Sequence, residues 1–182
     1  MRTFPMVALL LLSAAAHAGG APFSCELGTA RDKRPVVVNA QDVESGAATY
    51  FLRYGGKPAQ PAIRDIEHSR GLDARLSCLG GKRRAMLLFG EFGAGYPHGV
   101  VLSYNPATAA FERIDFAERA LPSRIYLGER GSLVVIPTGG RGETDARYVV
   151  YRYAAGKGQD EESEATDELP AAAGYTVITL NR

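Results

Sequence analysis

Residues 85–92 read AMLLFGEF, residues 99–104 read GVVLSY and residues 111–116 read FERIDF. Each run is shorter than an ordinary helix and carries apolar residues at strand spacing. Between the second and third runs stands Asn105-Pro106-Ala107-Thr108, whose residue types preset a tight reversal. Val100, Leu102 and Tyr104 then face one way while Val101 and Ser103 face the other. Neighbouring antiparallel strands with half-buried faces follow.

The same pattern extends outward in both directions. Residues 35–40, 48–54, 74–79, 124–127, 132–137, 147–153 and 175–180 are further strand candidates, separated by glycine, proline and asparagine. Glu44-Ser45-Gly46-Ala47, Gly80-Gly81-Lys82-Arg83 and Glu129-Arg130-Gly131 are hairpin-like connections. A sheet with one apolar face must cover it, so the expected fold is all-β: an antiparallel β-sandwich or barrel in one domain. The alternative is a partial β-propeller-like arrangement, in which the hairpin from Val100 to Phe116 and the next two strands form one blade. Against it, the chain shows no repeat at the ~40–50 residues that blades require. Two stretches do not read as strands. Residues 112–120 have mixed helix propensity and room for one short turn before Pro122. Residues 156–168 hold Asp160, Glu161, Glu162, Glu164, Asp167 and Glu168 with few apolar residues, and read as a solvated, mobile acidic loop.

The N-terminus has a cation at Arg2, an apolar run from Met6 through Leu12 and small residues ending at Ala16-His17-Ala18. That layout predicts a signal peptide over residues 1–18, cleaved near Ala18, and a periplasmic or secreted mature domain over residues 19–182. The apolar stretch falls short of the roughly 20 residues that span a bilayer, so no membrane insertion is expected after cleavage. Cys25 is not placed as a lipid-modified cysteine would be. Removing Arg2 with the signal leaves 20 basic and 20 acidic residues, which excludes the basic excess of a nucleic-acid binder. Cys25 and Cys78 are the only cysteines, and an oxidising compartment predicts a disulfide between them. Closing a loop of that length stabilises a fold by about 4 kcal/mol in the chain-entropy picture.

Chemistry is sparsely marked. The acidic run lacks the glycine and the oxygen spacing of a calcium loop. Only His68 and His98 remain after signal removal, too few and wrongly spaced for zinc. Residues 90–99 and 139–142 are glycine-rich, but neither opens a helix nor carries a P-loop lysine, so no phosphate cofactor is expected. No Gly-x-Ser-x-Gly elbow occurs. The catalytic candidates are His98 as a base with Glu91 or Asp145 nearby, which would suit a hydrolase acting on an envelope polymer. Lys82-Arg83-Arg84 reads as a soluble turn. Exposed tyrosine suits recognition of a protein or glycan, and Tyr96, His98, Arg141, Tyr148 and Arg152 are the binding candidates.

Phe23-Ser24-Cys25-Glu26-Leu27, followed by Tyr50-Phe51-Leu52-Arg53-Tyr54-Gly55-Gly56-Lys57-Pro58, resembles the opening of small exported bacterial proteins of unknown function. Those proteins have a Phe-Ser-Cys start before a Tyr-Arg-Phe-Gly-like strand. The likeness spans residues 22–61, with Tyr54-Gly55 where Phe-Gly would stand and without the second cysteine before that strand. It implies an exported bacterial β fold and transfers no site residues. The combined expectation is a non-enzymatic periplasmic binding module with a protein partner, an inhibitor, immunity-type protein or envelope accessory. Its loop cluster at residues 93–99 and 139–144 would insert into that partner. The alternatives are the hydrolase and a structural envelope protein without a discrete site.

Overall fold

In the computed structural model the described residues are 21–63, 67–93, 97–139 and 144–180. They form strands and connections, with no helix. The first sheet holds β1 (Phe23–Thr29), β2 (Lys33–Glu44), β3 (Ala47–Tyr54), β4 (Gln60–Pro61), β5 (Arg70–Gly80), β6 (Arg83–Phe92), β7 (His98–Asn105) and β8 (Ala110–Ala117). The second holds β9 (Arg124–Gly128), β10 (Gly131–Pro137), β11 (Tyr148–Ala154), β12 (Gly158–Gln159), β13 (Glu164–Thr166) and β14 (Tyr175–Thr179). All ten sequence-predicted strands are present. The expected reversals at 44–47, 80–83, 105–108 and 129–131 join antiparallel neighbours.

The first sheet runs β1-β2-β3-β5-β6-β7-β8 and curls until β1 meets β6 at Gly28↔Arg84 and Thr29↔Arg83. β1, β2, β3, β5 and β6 thus close a five-stranded antiparallel barrel. Straight strands cannot alternate direction around an odd ring, so this ring depends on bending. The bends lie at register shifts between Gln41 and Glu44 and between Leu72 and Arg75. Extra residues there sharpen the local twist, and Asp42 and Asp73 adopt left-handed φ of 51° and 50° at the two shifts.

Cys25, Leu27, Val36, Val38, Leu52, Met86 and Leu88 pack inside the barrel with Val100, Leu102 and Tyr104 from β7. Ala85, Leu87, Val101, Ile114 and Phe116 face the other way and meet Ile125, Leu127, Val134, Ile136 and Ile178 of the second sheet. β7 is therefore buried on both faces, where the alternation predicted one solvated face. The second sheet supplies the missing cover. The chain is an all-β single domain, a barrel with a sheet packed on it. The propeller alternative fails because the β7–β8 hairpin and the β9–β10 hairpin belong to different sheets. A third cluster, Tyr126, Leu133, Val135 and Val150, lies on the outer face of the second sheet under Leu169 and Tyr175.

Cys25 and Cys78 form the expected disulfide, with Cα atoms 5.5 Å apart across a separation of 53 residues. It ties β1 to β5, two strands that do not pair with each other but both pair with the start of β6. Two local expectations are corrected. Residues 110–117 continue as strand with no helical turn, because Ile114 and Phe116 alternate into the core. The acidic stretch is not a free loop: β12 and β13 both pair with β11. Arg152 lies 3.8 Å from Asp160 and 3.4 Å from Glu164, so opposite charge helps hold this segment on the sheet. The Gln159 carboxamide also accepts from the Asp115 N–H (2.9 Å) and donates to its C=O (2.7 Å), satisfying the free edge of β8 as a further strand would.

Candidate functional site

The two ends of the β2–β3 hairpin carry the features most suited to recognition. At the open end, a cleft of about 730 Å³ lies on the rim of the barrel. Arg34 follows the inward parity of Val36 and Val38, so it stands where the barrel interior meets solvent. Its guanidinium is 4.9 Å from the Tyr104 ring centroid and 2.9 Å from Asp32. Arg53 is directly opposite Val37 and, with Lys57, completes a set of three cations lining the cleft. Neither Arg53 nor Lys57 has an ion-pair partner among the described residues, and no carboxylate is among the described lining residues.

The floor is aromatic. Tyr104 and Phe111 are opposite each other on β7 and β8, with ring centroids 5.3 Å apart, and Tyr54 lies 5.1 Å from Phe111. The Tyr54 hydroxyl accepts from Gln60 Nε2 at 2.9 Å, which fixes the ring. Gly55 and Gly56 have φ of 62° and 70°, and the Lys57 N–H donates to the Tyr54 C=O at 3.2 Å, making a tight primed turn. A side chain at Gly55 would press on Phe111 at 3.1 Å, so glycine keeps this wall against the floor.

At the closed end, Ser45 and Gly46 turn the chain with φ of 50° and 84°. Arg70 braces the turn by donating to the Asp42 C=O at 3.2 Å and lying 3.6 Å from Glu44. Val43 (52% exposed) and Leu72 (39%) are the exposed large apolar residues of the described chain, and both sit at this end. Asp42, Glu44 and Asp73 flank them in sequence, and Arg70 offsets the charge of Glu44.

The sequence-predicted residues do not form one site. His98 opens β7 and lines a separate pocket of about 310 Å³ with Asp115, Tyr151, Gln159 and Glu161. Glu91 follows Gly90, the partner of His98, so its side chain leaves the opposite face of the sheet. Asp145 lies between β10 and β11 and is not among the described lining residues of that pocket. The polar groups beside His98 are engaged already. Asp115 takes a two-point ion pair from Arg113 at 2.6 and 2.8 Å, and the Tyr151 hydroxyl donates to Glu118 at 2.9 Å. Burial, then the Glu118 carboxylate, pushes the Tyr151 phenol well above its ordinary value. No serine, threonine or cysteine is among the described lining residues. Tyr148 borders a small cleft with Arg124, Pro137 and Leu169, and the Arg147 guanidinium lies 5.6 Å from its ring. Arg152 is spent on the acidic segment. Tyr96 and Arg141, with parts of both loops of the proposed cluster, lie outside the described residues.

A buried polar cluster sits beside the aromatic floor. Glu112 is 1% exposed and accepts from Asn105 Nδ2 at 2.7 Å, while its Oε2 has no partner. Asn105 also donates to the C=O groups of Gly128 (3.2 Å) and Glu129 (2.9 Å), stitching the β7–β8 hairpin to the β9–β10 hairpin. Burial pushes the Glu112 carboxyl above the usual range against the opposing pull of Asn105, Ser132 and Arg83.

No single stretch of sequence marks the cleft, because its members come from β2, β3, β7 and β8 and from the turns after β3 and before β8. The available signal was the Tyr54-Gly55-Gly56-Lys57 turn, flanked by Arg53. Compared with known families, characterised proteins and solved structures, the chain shows no match.

Proposed function

We propose that the mature chain is a non-catalytic binding module of the inhibitor or immunity type, exported to the periplasm, that docks a protein partner through the closed end of the β2–β3 hairpin. The observation that carries this reading is the placement of Val43 and Leu72, both exposed, on one braced tip. Exposed apolar side chains on a preorganised protrusion lose little entropy on docking, so their burial goes into affinity. The acidic rim favours a partner whose receiving groove is bordered by Lys or Arg. The dispersal of His98, Glu91 and Asp145 argues against the hydrolase arrangement built on them. The disulfide and the signal-like N-terminus support the compartment.

The test is recovery of a partner from periplasmic extract by the native protein and by the Val43→Asp/Leu72→Asp variant. Native protein should enrich one partner, and the variant should recover less than about a tenth of it, as expected when contacts worth more than 1.4 kcal/mol are lost. Equal recovery by both proteins places the contact elsewhere. No enriched partner removes the reading.

A further inference from the structure

We propose that the cleft on the barrel rim binds an acidic saccharide, a pyranose whose carboxylate meets Arg53 and Lys57 while its apolar ring face rests on Tyr54 and Phe111. Three observations support a ligand of this composition. First, the charge is one-sided, with three cations and no carboxylate among the described lining residues. Asp32 partly compensates Arg34, which the Tyr104 contact holds in place, so the uncompensated charge lies on Arg53 and Lys57. A carboxylate accepts two-point hydrogen bonding from a guanidinium and a point contact from an ammonium.

Second, the cations border an aromatic surface rather than a polar one. A bare anion would leave that surface wet, whereas a sugar ring offers C–H groups to cover it and hydroxyls for the open side. Third, the cleft is open to solvent at a volume ordinary for small-ligand sites, which suits one or two rings of a longer chain that continues outside. The Gly55-Gly56 turn leaves that exit clear, since a side chain at Gly56 would meet nothing within 4 Å. This site is independent of the hairpin tip, and either can be lost without the other.

The experiment titrates the native protein with a tri-galacturonate, its methyl ester, inorganic phosphate and a short polyglutamate of equal charge, by calorimetry and by amide shifts. The acid trisaccharide should bind, weaken with added salt, and shift amides at Tyr54, Gly55, Gly56 and Phe111. Arg53→Gln and Lys57→Gln, both exposed positions outside the core, should each weaken it about tenfold with unchanged melting temperature. Absence of binding, or equal binding of the methyl ester, overturns the proposal. So does phosphate or polyglutamate binding as tightly as the trisaccharide, since the site would then read charge alone. Binding unaffected by both substitutions overturns it as well, because the ligand would then sit elsewhere.

Discussion

The β2–β3 hairpin ends in two unlike surfaces, and the contrast shows how a nearly neutral chain can carry locally opposite charge. Its closed end exposes Val43 and Leu72 beside Asp42, Glu44 and Asp73, with Arg70 paired to Glu44. Its open end is concave, aromatic and lined by Arg34, Arg53 and Lys57. β2 is 12 residues long, a reach of at most about 40 Å that its bend between Gln41 and Glu44 shortens, and the two fields still lie more than one screening length apart. Nearly equal totals, 21 basic and 20 acidic residues, therefore hide a molecule with separated charge. They exclude a uniformly basic surface and say nothing of a local one.

The foundations differ too, and removing them separates the ends most sharply. The disulfide ties β1 to β5 beside the Gly28↔Arg84 pairing that closes the barrel, near the cleft and far from the tip. Replacing both cysteines with alanine should cost about 4 kcal/mol, read as a lower urea midpoint. Near the midpoint, amides around Gly55 should exchange sooner than those around Ser45. Uniform loss of protection at the two ends would show that they share one foundation.

A smaller effect separates the ends by pH. Glu112 follows Phe111 of the cleft floor and is buried with one oxygen unpaired, whereas the acids at the tip are on the surface. Because folding raises the Glu112 pKa, the folded state binds more protons than the unfolded state between the two values. Its contribution is thus fully present below the unfolded pKa and is lost as pH rises through the folded one. Glu112→Gln should be more stable than native by about 1 kcal/mol at pH 8, with the difference vanishing toward pH 4. Parallel stability profiles for the two proteins across that range would refute it.

Much of the fold was legible in the sequence because its signals are local. Alternation in residues 85–116 and glycine-bearing turns specify antiparallel strands without reference to distant partners. β1 escaped notice because Cys25, Leu27 and Gly28 sit among polar residues and gain their burial only when β1 reaches β6, more than 50 residues away. The acidic segment escaped for a related reason: composition reads its charge as solvation, while pairing with β11 and the Arg152 contacts keep it on the sheet. The cleft was hidden by a register shift. The Ser45-Gly46 turn sets Glu44 against Ala47 and, continued unbroken, would set Val37 against Tyr54. The bulge slips this by one residue, so Val37 faces Arg53 and Tyr54 turns inward with Val36. A slip that decides which side chains line the cleft has no signature in the residues that flank it.

The smallest effect tests whether the tip is rigid on its own account. Gly46 has φ of 84°, and a side chain there would touch only Leu72 Cδ1, at 3.6 Å. Gly46→Ala therefore meets no clash, and its cost is the backbone penalty of a left-handed conformation, about 1 kcal/mol. Arg70, bonded to Asp42 and paired with Glu44, keeps the turn from opening to relieve that strain. Arg70→Ala in the Gly46→Ala background should then change stability by less than the sum of the single substitutions, because an unbraced turn can relax. Strict additivity in this double-mutant cycle would mean that the brace and the turn act separately. The tip would then owe its shape to the bulge at Asp42 rather than to the arginine beneath it.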